Sequence, residues 1–149
     1  MKDETRLWLE YADENLEVAA LALSNHHMNA CLYNAQQSVE KYLKALIIEY
    51  ALPFKKTHAI YELWQDLSNN GVQTAITEED CDLLDSVYMP SRYPLFSVLP
   101  DAMPDRVICE KCLDIAGNVT VYCAQEEVAV IVVVVPICVT DVKLSEVLA

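Results

Sequence analysis

The sequence predicts an all-α fold: an up-and-down bundle of about five helices, followed by a short β-prone C-terminal tail. Three observations carry that prediction. Apolar residues recur at steps of three and four through most of the chain up to residue 125. Glycine appears only twice in 149 residues, too few for a turn-dense sandwich or barrel. Residues that start and stop helices bracket the periodic stretches, and the connections between them are short. At 54% hydrophobic and 22% charged, the chain lies in the globular range and outside the disordered one. Residues 1–125 form the expected bundle and residues 126–149 an apolar extension.

The first helix is expected from Asp3 to about Ser24 with a broad buried face. Leu7, Tyr11, Val18 and Leu21 mark one stripe, and Leu9, Leu16 and Leu23 mark its neighbour. After the turn-prone Ser24-Asn25 pair, Met28, Leu32, Ala35, Val39, Tyr42 and Leu46 outline a second helix of about 22 residues that ends before Pro53. Thr57 is the expected N-cap of a third helix bearing Ile60, Leu63, Trp64 and Leu67, stopped by Asn69-Asn70-Gly71. Thr77 with Asp80 resembles a capping box and opens a fourth helix that carries Leu83, Leu84, Val87 and Tyr88 up to Pro90. Ser91 to Pro100 reads as an ordered loop. Pro104 fits the first turn of a fifth helix along Ile108, Cys112, Ile115, Val119 and Tyr122. The run from Val128 to Val139 is β-branched and uncharged, so it fits a strand, an intermolecular contact or an unordered extension.

Ten cations stand against 23 carboxylates, a net charge of −13, which argues against a general nucleic-acid coat or an anionic-membrane binder. Any anion must be held by a local cluster. Lys41, Lys44, Lys55, Lys56 and Arg92 are half of the cations, and His58 follows two of them closely. On the second helix Asn34, Gln37, Lys41 and Lys44 form a polar stripe, so two ammonium groups are expected on one face. If that stripe meets the start of the third helix and Arg92, the guanidinium can clamp a phosphate, free N–H groups near His58 can add donors, and Tyr93 can stack on a base. The competing reading is structural. Glu40 and Lys44 then pair on a solvated face, Tyr93 anchors a loop, and Arg92 bridges to a carboxylate.

The segment Asn34-Ala35-Gln36-Gln37-Ser38-Val39-Glu40-Lys41-Tyr42-Leu43-Lys44-Ala45-Leu46, the Thr57-His58 pair before a Leu63-bearing helix, and Ser91-Arg92-Tyr93-Pro94 together resemble the HEPN family over about residues 3 to 125. The resemblance implies a small helical bundle, commonly a homodimer, in a prokaryotic toxin–antitoxin-like module beside a minimal nucleotidyltransferase. Some HEPN proteins are RNases, and others bind nucleotides or proteins. The RNases resemble one another in an Arg and a His separated by four to six residues, supplying a cation and a base. All three arginines here miss that pattern: Arg6 meets Tyr11, Ala12 and Asp13, Arg92 meets Ser97, Val98 and Leu99, and Arg106 meets Lys111, Cys112 and Leu113. Catalysis is therefore the less favoured reading, and His58 with Arg92 is left as an unorthodox pair.

His26 and His27 lack partners at metal spacing, so no metal is expected, and no cofactor either. Cys109 and Cys112 form a single CxxC inside a predicted helix and read as core thiols. No apolar run reaches the length of a membrane span, and no secretory leader is evident, so a reducing cytoplasm is expected. The leading expectation is a cytoplasmic, homodimeric bundle binding a nucleotide or RNA phosphate at Gln37, Lys41, Lys44, His58, Arg92 and Tyr93. The alternatives are a protein–protein interaction module without nucleotide binding and an RNase with an atypical site.

Overall fold

The structure, a computed structural model, describes residues 1–93 and 104–123, with side chains to residue 120. Five helices make up these residues: α1 (Asp3–Ser24), α2 (Met28–Glu49), α3 (Ile60–Asn69), α4 (Glu78–Arg92) and α5 (Arg106–Cys123). The tail from residue 124 onward, including the Val128–Val139 run, lies outside the described residues.

α2 is the central element. It packs against all four other helices, and 13 of its 22 residues are buried. Met28, Leu32, Ala35, Val39, Tyr42 and Leu46 form the apolar row that the spacing predicts, with Met28 only partly covered. α1 runs antiparallel to α2, so that Lys2 lies at Glu49 and Asn15 at Asn34. Their contact is lined with Ala12, Ala19, Ala22 and Ala35, whose small side chains let the two backbones approach closely. α5 runs parallel to α2, with Cys109 at Met28 and Thr120 at Tyr42. The Tyr42 hydroxyl donates to Asp13 and accepts from Thr120, which ties α1, α2 and α5 together. α4 runs back along α2, and the short α3 bridges the two.

The local signals act as their chemistry dictates at most boundaries. Thr77 and Asp80 close a full capping box on α4. Gly71 adopts φ 76°, ending α3 in the left-handed region that Gly tolerates without cost. Asp105 accepts the Ile108 N–H at 2.8 Å, so this aspartate caps α5, and Pro104 falls just outside the helix rather than in its first turn.

Several expectations are corrected. The stripe of Leu7, Tyr11, Val18 and Leu21 is exposed, and Ala12, Ala19 and Leu23 face the core with Leu9 and Leu16 packed beside them. Helical periodicity marks two apolar faces on α1, and packing against α2 and α5 covers only one. α3 begins at Ile60 with Ala59 as its N-cap, and Thr57 accepts the Ala59 N–H too early in the chain to cap the helix. α4 does not stop at Pro90: it continues to Arg92, because a proline near a C-terminus forfeits only one internal hydrogen bond. Ser91 and Arg92 are therefore helical rather than part of a loop, and the loop expected from there on falls mostly outside the described residues. No helix among the described residues is long and apolar enough to cross a membrane.

Candidate functional site

One face of α2 carries Tyr33, Gln36, Gln37, Glu40 and Lys44 at helical spacing, so these side chains share one side of the helix. The chain after α2 lays His58 against this row, and α4 brings Tyr88 and Arg92, one turn apart, to the same place. Glu40 is the hub. Its carboxylate is 4% exposed and holds Lys44 Nζ at 2.7 Å, His58 Nδ1 at 3.1 and 3.2 Å, and Gln37 Nε2 at 3.2 Å. Gln37 also donates to Gln36 Oε1 at 2.7 Å, and Gln36 Nε2 donates to the His58 carbonyl at 3.1 Å. The histidine is thus fixed through its ring and its backbone. Its side chain remains 60% exposed, and Nε2 has no partner among the described residues. A carboxylate on Nδ1 fixes the orientation of the ring.

The His58 ring stacks on Tyr88 at 5.8 Å between centroids. Arg92 lies against both Tyr88 and Tyr33, with its guanidinium carbon 4.3 and 4.6 Å from the two ring centroids. His58, Tyr88, Arg92 and Tyr33 therefore form one cluster of planar groups in which the guanidinium is within cation–π distance of two tyrosines. Arg92 makes no ion pair or hydrogen bond among the described residues, and its Nε is buried without a partner.

Of the six residues singled out in the sequence, four come together: Gln37, Lys44, His58 and Arg92. Their roles differ from the expectation. Lys44 is 6% exposed, with its charge matched by Glu40 and its ammonium 5.8 and 5.7 Å from the ring centroids of Trp8 and Phe54, so it is a buried structural cation rather than a solvated one. Lys41 is hydrogen-bonded to Asn15 on α1, and desolvation lowers its pKa against the opposing pull of Glu40. The two ammonium groups do not share an open face. Tyr93 caps the end of α4 and is half exposed. The α3 N-terminus does not offer free donors beside His58, because the Asp85 carboxylate takes the N–H groups of Ile60 at 2.7 Å and Tyr61 at 3.0 Å. Lys55 pairs with Asp66, and Lys56 is exposed. Arg92 is not bridged to a carboxylate among the described residues.

Sequence reading missed Tyr33, Glu40 as the organiser, and Tyr88. The signal was present: Tyr33, Gln37, Glu40 and Lys44 are spaced four, three and four, and Tyr88 and Arg92 are spaced four. Elsewhere, Cys31, Cys109 and Cys112 cluster where α2 meets α5, and burial pushes the Cys112 thiol up to about 12, as suits core thiols. No group of three or more metal-ligating side chains is arranged around a point among the described residues.

Comparison with known proteins places the fold. The chain is 28% identical over 130 residues to "Putative toxin MJ1304" of Methanocaldococcus jannaschii, covering 76% of this chain and 82% of that one. Among solved structures it is similar to TT1696 of Thermus thermophilus, with a TM-score of 0.66 at 28% identity over 83% of this chain and 98% of that chain. It shares the fold of ST0689, an archaeal HEPN homologue, at a TM-score of 0.60 and 24% identity, covering 82% and 95% of the two chains. The model of the HEPN domain matches residues 5–127, which takes in nearly all of the five helices and every residue of the Glu40 and Arg92 cluster, and the chain belongs to the HEPN family.

Proposed function

We propose that this HEPN protein binds the phosphate of a nucleotide or RNA at the edge of Arg92, beside His58, as one component of a toxin–antitoxin-like module that includes a minimal nucleotidyltransferase. The observation that carries the reading is the state of Arg92. In a chain with 23 carboxylates it has no acidic partner among the described residues, yet its guanidinium carbon lies within 4.6 Å of two tyrosine rings. A guanidinium without a carboxylate partner keeps its planar fork for a phosphate, which accepts it bidentately. His58, 60% exposed and stacked on Tyr88, adds a second polar group beside Arg92.

The relative whose name carries the word toxin supports the module assignment. The homodimer, the nucleotidyltransferase partner and the cytoplasmic location belong to the same proposal. The proposed role is binding, since no arginine in the chain has a histidine at the RNase spacing.

Isothermal titration with ATP, GTP, AMP and a short single-stranded RNA tests the reading, using the wild-type chain with Arg92→Ala and Arg92→Lys. Saturable binding that is lost in Arg92→Ala and weakened in Arg92→Lys is expected, with the far-UV spectrum unchanged. Equal affinity in all three proteins, or no binding by any ligand, refutes the site. Lys44 is a poor choice for this test because its loss strands the buried Glu40 carboxylate.

A further inference from the structure

α1 exposes an apolar seam on the side turned away from the core. Leu7, Tyr11, Val18 and Leu21 are 52%, 60%, 40% and 56% exposed. Their spacings of four, seven and three keep them on one side of the helix, opposite Thr5, Ala12, Ala19 and Leu23. Single exposed apolar residues are ordinary, whereas a row of four along roughly 21 Å of helix is a recognition surface. Beside the seam, Asp3, Glu10, Glu14 and Glu17 line one flank, and all four are exposed. α1 carries six carboxylates against one arginine, and that residue, Arg6, is already engaged by Asp3 at 2.9 Å.

This charge pattern selects the occupant. A second copy packed through the same seam brings an identical row of carboxylates against the first, in a chain whose net charge is already −13. A helix with apolar residues on one face and lysine or arginine beside them meets the seam with its leucines and the acidic row with its cations. We infer that the α1 seam docks a basic amphipathic helix of a second protein. The seam shares no residue with the Arg92 cluster, so the two sites stand or fall separately.

The probe is a synthetic helical peptide of about 18 residues with leucine at the heptad a and d positions and lysine at e and g, beside a control peptide with glutamate at e and g. Fluorescence anisotropy with the full chain is expected to show saturable binding of the lysine peptide only, weakened roughly tenfold or more at high salt. Leu7→Ser with Val18→Ser, and separately Glu10→Lys with Glu17→Lys, are each expected to weaken binding at least roughly tenfold while the far-UV spectrum and Arg92-dependent nucleotide binding stay unchanged. Undiminished binding by both double variants reduces the effect to general charge attraction and overturns the proposal. So does a wild-type chain that ignores the lysine peptide. Sedimentation equilibrium supplies the remaining arm: a wild-type dimer converted to a monomer by Val18→Ser assigns the seam to a second copy instead and overturns the proposal as well.

Discussion

Glu40 and Lys44 form an ion pair at 2.7 Å on adjacent turns of α2 with both side chains almost wholly removed from water. The pair is the foundation on which His58 sits, because the same carboxylate receives the imidazole Nδ1. Spacing alone marks an i,i+4 pair of modest value on a solvated helix face, but burial changes its energetics. Each partner now depends on the other.

Glu40→Ala leaves the Lys44 ammonium buried without a counter-charge and is expected to cost about 3–5 kcal/mol. Lys44→Met preserves the stem that packs near Trp8 and Phe54 and is expected to cost less. Urea unfolding of the two single variants and the Glu40→Ala/Lys44→Met double variant checks the coupling. A double variant that loses clearly less than the sum of the singles is expected, and strict additivity counts against a coupled pair.

Asp85 acts as a tertiary cap, reaching from α4 to the first two N–H groups of α3. Asp85→Ala leaves those donors without their acceptor and is expected to cost about 1–2 kcal/mol, whereas Asp85→Asn retains an acceptor and costs less. Thermal unfolding of the three proteins gives the comparison. Hydrogen exchange localises the effect: faster exchange at Ile60 and Tyr61 is expected.

The Glu49 carboxyl is held below its ordinary value, chiefly by the Lys2 backbone N–H at 3.0 Å, then by the Thr5 hydroxyl at 2.7 Å and by the N-terminal ammonium. A depressed folded-state pKa stabilises the fold at pH above the ordinary carboxylate range, and that contribution is lost as pH falls through the folded value. The α1–α2 hairpin is therefore expected to loosen on acidification. Glu49→Gln removes this contribution, so its stability falls less steeply with acid than that of the wild type in unfolding series across the acidic range.

Ala51 leaves α2 with φ 54°, in the left-handed region, so that the Leu52 N–H can reach the Ile47 carbonyl at 2.9 Å. A Cβ is strained there. Ala51→Gly is expected to raise stability by about 0.5–1 kcal/mol, the relief of strain exceeding the entropic cost of glycine. Chemical denaturation midpoints decide it, and a loss of stability shows that the turn carries no such strain.

Much of this molecule is legible in the sequence because its elements announce themselves locally. The Thr77 and Asp80 box, the Gly71 stop and the α2 row are each set by residues within one or two turns, and α1 and α2 have the boundaries that periodicity indicates. Long-range choices are less visible. Nothing within α1 says which of its two apolar stripes meets α2. Nothing near Thr57 reveals that a carboxylate 25 residues beyond Ile60 caps that helix. The candidate site shows the same division. Gln37, Lys44, His58 and Arg92 are identifiable as residue types, but whether a lysine is open or neutralised depends on what packs over it, and the tyrosines around Arg92 become relevant only when α4 continues past Pro90.

The central place of α2 also orders the birth of the fold. α1 and α2 leave the ribosome first and pair as a local hairpin, but α2 has further faces assigned to α3, α4 and α5. Val39 and Leu43 are among the residues fully enclosed in the finished bundle. Until the chain has grown past Val119, the α1–α2 hairpin carries apolar surface that α5 has yet to cover, the kind of surface on which partly folded chains associate.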